Sequence, residues 1–308
     1  MSLAGKRGCG MKVAMTTVGL RAWMASDIPA MIDEVKLAES VGLYQYDMPD
    51  HLVTVQQPVD YPYGKVAIEL SHQPFYEPLT MLSALAASTS RIRLSTGILL
   101  APFRPAVLLS KQISTLDHIS RGRIDLGFGV GWMKEEFDAC GVQYEGRFGY
   151  MIDQVRACRS LWTEAPASID NKAAKFDEIF CFPHPYQKGG PRVILGIAPN
   201  ARNFARMAEV ADGWDCAPTE SDPATLRTHI AELKQAFVER GRDPESILIR
   251  AYPPIVYDAN DQADIRATLA QAPAFEDAGV DVMRINAVSF VRDENYPAFI
   301  EELAEAMN

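Results

Sequence analysis

The chain has 308 residues, 48% hydrophobic and 23% charged, with a formal net charge of −10. That composition supplies a large core, and the negative balance argues against nucleic acid or an anionic membrane as a partner. Cys9, Cys140, Cys158, Cys181 and Cys216 show no C-x-x-C spacing, which points to reduced thiols and a cytoplasmic protein, and no apolar run is long enough to span a bilayer.

Met1 to Gly10 lacks an apolar signal core and reads as a flexible leader or cloning remnant, so the fold is expected to begin at Met11. From there strand-like and helix-like segments alternate. Lys12 to Thr17 is the first strand. Ser26 is placed to cap a helix over Asp27 to Ser40, with Gly42 past its end. Leu43 to Met48 is the second strand, and Glu77-Pro78 opens the next helix. Arg91 to Leu99 and Ile124 to Gly129 follow as strands around a helix from Pro105 to Ile119. Phe148 to Trp162 is helical.

In the second half, strands at Arg192 to Ile197, Gly213 to Ala217, Ile247 to Tyr257 and Val280 to Ala287 are each followed by a helix. Those helices run over Asn200 to Val210, Pro223 to Arg240, Asp261 to Ala278 with a break near Pro273, and Tyr296 to Met307. Eight strand–helix units imply an α/β fold, a parallel (β/α)8 TIM barrel formed as one domain over 11–308. Three long connections, Leu52 to Tyr76, Met133 to Arg147 and Thr163 to Pro191, take up the residues beyond a minimal barrel. The first carries Tyr61, Tyr63, Phe75 and Tyr76 and is expected to be a lid.

Barrel chemistry sits at the carboxyl ends of the strands. Those ends here show no H-x-H, no metal-ligand cluster, no strand lysine and no Ser–His–acid arrangement. They read Thr96-Gly97-Ile98, Gly129-Val130-Gly131-Trp132 and Gly196-Ile197-Ala198-Pro199. Alternate glycines at a strand end mark close approach to the backbone, by a flat ligand or by tight packing. Small, apolar endings suit a planar cofactor that brings its own reactivity. The second strand ends differently, at Asp50-His51, an adjacent acid and imidazole able to handle a proton near neutral pH. The amides of Gly129 to Gly131, or the turn feeding the helix with Arg202 and Arg206, are candidates to take a phosphate. Asp215 and Cys216 read as structural.

The run Arg91 to Pro105, the run Leu116 to Trp132, Glu135-Glu136-Phe137, and Ala208-Glu-Val-Ala-Asp-Gly-Trp214 together resemble the bacterial luciferase-like family. Gly129-Val-Gly-Trp132 followed by Glu135-Glu136-Phe137 is similar to the branch that uses the deazaflavin coenzyme F-420. The resemblance implies a barrel that binds deazaflavin or FMN at the strands' carboxyl ends. It implies roles for Asp50 and His51 at the ring's edge, with His51 as base. It implies a cis peptide at Gly97-Ile98 beside Thr96, and cofactor contacts from Gly129, Val130, Gly131 and Trp132 and from Gly196, Ile197 and Ala198. Trp132 stands where the sugar-phosphate dehydrogenases of that branch carry a glutamate, which excludes their substrate. Ile197 replaces a glycine common in relatives, which weakens a phosphate contact there.

Three functions follow as expectations. The first is hydride transfer between deazaflavin and a small organic substrate. The second is an FMN-dependent monooxygenase fed by a partner flavin reductase, and the third a flavin-binding protein without catalysis. A homodimer is expected.

Overall fold

The computed structural model describes residues 11–56, 59–60, 67–68, 72–292 and 294–307. The Met1 to Gly10 leader, with Cys9, and the lid residues Tyr61 and Tyr63 lie outside the described residues.

Among the described residues the strands run β1 (Lys12–Thr16), β2 (Gln45–Met48), β3 (Val59–Asp60), β4 (Ala67–Ile68), β5 (Arg93–Leu100) and β6 (Ile124–Gly129). They continue as β7 (Ala167–Asp170), β8 (Lys175–Ile179), β9 (Arg192–Leu195), β10 (Gly213–Asp215), β11 (Leu248–Ala251) and β12 (Val282–Asn286). Eight of them close a barrel in the order β1-β12-β11-β10-β9-β6-β5-β2, with parallel pairing throughout. The parallel (β/α)8 barrel expected from the alternation is therefore the fold. The antiparallel pair β7–β8 fills the Thr163 to Pro191 connection, and a helix over Lys134–Cys140 fills the one after β6.

Differences from the expected boundaries have local causes. The strand expected within Ile247 to Tyr257 is Leu248–Ala251, and it ends there because Pro253 and Pro254 follow and cannot donate to a ladder. The first long helix is capped by Asp27, whose carboxylate accepts the Ala30 amide, and not by Ser26. The expected helix over Asp261 to Ala278 is two, Ile265–Leu269 and Ala272–Ala278, parted at Gln271 before Pro273.

Side chains alternate across a strand, and the barrel separates two environments on that period. Val13, Met15, Tyr46, Met48, Leu126, Phe128, Trp214, Ile249, Met283 and Ile285 point outward. They join one core cluster with the helices' inner faces, among them Met31, Val35, Leu82, Ile113, Phe204 and Leu233. Inward, Ala14, Ile194, Leu248 and Val282 form a separate apolar plug. Two residues further along their strands, Leu248 and Val282 give way to Arg250 and Arg284, both buried.

β5 loses register with β6 between Thr96 and Leu99, and the Gly97–Ile98 peptide there is cis. The irregularity turns Ile98 across the barrel mouth. It accounts for the glycines of β6 by tight packing, one of the two readings that their spacing allowed. A Cβ on Gly127 would run into the Thr96 carbonyl, and one on Gly129 into the Ile98 side chain. Gly131 has φ +74° and would press Phe137 at 2.8 Å, a conformation and a space that only glycine suits.

Gly127→Ala should therefore lower stability by about 1–3 kcal/mol, as overpacking against backbone does. Gly149→Ala, in the helix Arg147–Thr163 with nothing within 4 Å of its Cβ position, should not lower it. Urea melts of the two variants check this, and equal midpoints would refute the packing account.

Candidate active site

The barrel mouth is built around a closed ring of charge. Arg250 donates from Nη1 to Asp47 Oδ1 at 3.0 Å and from Nη2 to Asp215 Oδ2 at 2.7 Å. Arg284 donates from Nε to Asp47 Oδ2 and from Nη1 to both Asp215 oxygens, each at 2.7 Å. Each carboxylate thus binds both guanidinium groups. Gln45 and Ser95 take two further bonds from Arg250 Nη1, at 2.8 and 3.0 Å. Burial alone would raise the Asp215 carboxyl; Arg250 and Arg284 more than offset it and hold it below the ordinary value. Below the ring, Asp125 is fully buried between Arg93 and Arg192. Burial raises it too, and Arg93 leads the groups that bring it down.

Above the ring lies a cavity of about 110 Å3. Gly97, Ile98, Gly196 and Ile197 line it, with Asp215, Cys216, Ala217, Pro218, Tyr252 and Arg284. Four residues singled out from the sequence are thus brought together. A Cβ on Gly196 would lie 3.1 Å from Ile98, and one on Gly97 would strike Arg284, so these glycines let Ile98 and Arg284 reach the cavity wall. A second cavity of about 250 Å3 adjoins it and shares Pro218, Tyr252 and Arg284. Asp215 and Cys216, expected to be structural, border the first cavity. Burial, then Asp215, pushes the Cys216 thiol well up, which leaves it an inert hydrophobe.

The Asp50-His51 pair does not form. Asp50 accepts the Leu100 amide at 2.8 Å and both Nη atoms of Arg104, at 2.6 and 3.2 Å. It is fully buried there, and Arg104 continues to Glu77 at 2.8 Å. The expectation that Asp50 works beside His51 is corrected: it clamps the end of β2 to the end of β5. His51 instead meets Glu136, with Nδ1 3.1 Å from Oε2. Glu136 is fully buried, and its other oxygen accepts the Leu52 amide at 2.6 Å. A carboxylate that only accepts makes Nδ1 the donor, leaving Nε2 as the basic nitrogen of the neutral ring. Phe75 meets the imidazole edge-on at 4.9 Å, and Trp132 lies at 6.1 Å. His51 does not line the 110 Å3 cavity. It stands at the end of β2, and Ile98 belongs to β5, the next strand of the barrel.

The other residues singled out from the sequence make the following contacts within the protein. Thr96 Oγ1 donates to the Gly127 carbonyl at 2.7 Å, and Val130 is buried. The carbonyls of Gly131, Trp132, Ile197 and Ala198 accept from Arg147, Tyr144, Trp214 and Asn203. The helix Ala201–Val210 is capped by the Asn200 side chain. Arg202 is exposed there, and Arg206 donates to Asn203 and stacks on Phe148.

The model of the family described as luciferase-like monooxygenase matches residues 11–302. The chain belongs to the luciferase-like monooxygenase family. An uncharacterised protein of Mycobacterium tuberculosis is 32% identical over 223 residues, covering 71% of this chain and 78% of that protein. The FMNH(2)-dependent dimethylsulfone monooxygenase of Pseudomonas putida is 30% identical over 142 residues, covering 45% of this chain and 38% of its own. Among solved structures, the coenzyme F-420 dependent tetrahydromethanopterin reductase of Methanopyrus kandleri superposes with a TM-score of 0.72. It is 16% identical and covers 97% of this chain and 99% of its own, a likeness that establishes the fold. This luciferase-like chain is thus an enzyme of the oxidoreductase and monooxygenase class. No helix among the described residues is long and apolar enough to cross a membrane.

The charge ring makes stability depend on pH with a defined sign. Asp215 is held below its unfolded value of about 3.9. Its contribution is therefore complete above pH 4 and is lost as pH falls through the folded value. Asp215→Asn breaks one corner of the ring and should cost about 3–5 kcal/mol at pH 7. The gap to wild type should narrow below about pH 4. Parallel stability curves from pH 7 to 3 would refute the assignment.

Proposed function

We propose that this enzyme transfers a hydride between deazaflavin coenzyme F-420 and a small organic substrate, with His51 exchanging the accompanying proton. The observation that carries the reading is the His51–Glu136 contact, an imidazole oriented by a buried carboxylate at the active face of the barrel. Moving a hydride to or from a carbon that bears oxygen leaves a proton to be placed on, or taken from, that oxygen. Nε2 of a ring whose Nδ1 is already committed is suited to that exchange.

The residues present fit a flat, largely apolar ring. Ile98, Ile197, Ala217 and Pro218 offer an apolar wall, and Gly97 and Gly196 carry no side chain beyond it. Those six residues would hold the ring, and the bound cofactor supplies the hydride chemistry. The chain's own work is to seat it, keep water from it, and hold a proton at His51. Phe75 and Trp132 border the imidazole on two sides and shield it from solvent, so that 14% of its side chain is exposed.

A second reading, oxygen insertion with reduced FMN from a partner reductase, is favoured by one observation. The relative from Pseudomonas putida is a monooxygenase whose name specifies FMNH(2).

Fluorescence titration of the apoprotein with F-420 and with FMN separates the readings. Tighter binding of F-420 supports hydride transfer, tighter binding of FMN supports the second reading, and binding of neither refutes both. His51→Ala should keep the cofactor affinity and slow turnover by about a hundredfold or more; an unchanged rate would remove His51 from the mechanism.

A further inference from the structure

Arg284 is 4% exposed. Its Nε and Nη1 are bound to Asp47 and Asp215, whereas Nη2 has no hydrogen-bond partner among the described residues. Nη2 is also absent from the sealed, unpartnered atoms of the interior, so it is open to the space beside it. The Tyr252 hydroxyl is in the same state: it makes no hydrogen bond among the described residues and is not sealed in. The Tyr252 ring lies 4.6 Å from the Arg284 guanidinium carbon. Both residues line the 110 Å3 cavity and the 250 Å3 cavity beside it. Two donors with nothing to donate to therefore border one cavity.

Charge decides what they take. Arg250 and Arg284 carry two positive charges, and Asp47 and Asp215 carry two negative ones within the same closed ring. The net is zero, and Asp215 itself borders the cavity. A carboxylate or phosphate would face a carboxylate with no surplus of positive charge, and its desolvation would go uncompensated. A protonated amine would meet the edge of a guanidinium. A neutral acceptor meets neither penalty and gains a charge-assisted hydrogen bond.

We propose that this cavity is a carbonyl subsite, in which Arg284 Nη2 and the Tyr252 hydroxyl donate to one neutral oxygen carried on a compact apolar or planar frame. It deepens the reading of the barrel mouth as the redox site. The oxygen belongs either to the substrate or to the carbonyl edge of the cofactor's ring.

Tyr252→Phe removes the hydroxyl and keeps the ring beside Arg284. Two titrations of wild type and variant decide the matter: F-420 by fluorescence, and cyclohexanone by ligand-observed NMR. Methylenecyclohexane, of similar shape without the acceptor, and acetate serve as probes of the same cavity. Loss of one such hydrogen bond weakens binding about three- to tenfold. That loss for F-420 alone assigns the subsite to the ring, and for cyclohexanone alone to the substrate. Ala217→Phe, which fills the cavity and leaves the four residues of the charge ring unsubstituted, should weaken whichever probe responds. Unchanged affinities in Tyr252→Phe would overturn the proposal. So would methylenecyclohexane or acetate binding as well as cyclohexanone, or no binding of either cyclohexanone or F-420 to wild type. Failure of F-420 and FMN to bind, with cyclohexanone still sensitive to Tyr252→Phe, would sink the redox reading and leave the subsite standing.

Discussion

Four charges locked inside the barrel set the terms for everything at its mouth. Asp47, Asp215, Arg250 and Arg284 come from β2, β10, β11 and β12, and each acid is shared by both bases. Such a ring is poor evidence of net stability, because desolvating four ions costs about as much as their attraction returns. Its effect is on geometry. The upper half of the barrel is filled by groups with fixed hydrogen-bond directions, whereas the lower half is filled by the apolar plug of Ala14, Ile194, Leu248 and Val282. Leucine or methionine in place of Arg250 would fill the volume without bracing Asp47 and Asp215, the two acids that hold Arg284 at the cavity floor.

The irregular stretch of β5 works against that floor. Thr96 spends its hydroxyl on Gly127, Gly97 lies against Arg284, and Ile98 crosses to Gly129 and Gly196. One turned side chain thus accounts for glycines on two neighbouring strands. They were legible in the sequence as a sign of close approach. What approaches at Gly129 is isoleucine, and a glycine's sequence context does not tell a side chain from a ligand.

Most of the fold was legible because the barrel repeats one pattern, a buried strand and an amphipathic helix, eight times. Strand ends were less so where prolines decide the boundary, as at Pro253, and the register shift inside β5 after Thr96 left no mark on its ends. The site was half legible. His51 stood out, but its acid was sought next to it in the chain, at Asp50. Asp50 and His51 lie past the end of β2, and their side chains go to different partners, Asp50 to Arg104 and His51 to Glu136. The acid that arrived was Glu136, 85 residues on, and it had been noticed only as part of a family motif. Arg250 and Arg284 carried a readable signal, a lone charge inside Leu248–Ala251 and inside Val282–Asn286. Their partners follow only from closure of the barrel, which brings β2 opposite β10 and β11.

Glu136 holds more than the imidazole. Its second oxygen takes the Leu52 amide, at the root of the chain segment that leads away from β2. A single buried acid thus fastens the proton-bearing ring and the base of a neighbouring loop to one helix. Pulling that loop away would strip the Leu52 donor from a fully buried carboxylate whose other oxygen faces the ring. The position of the rim loop and the orientation of the imidazole are coupled through one side chain.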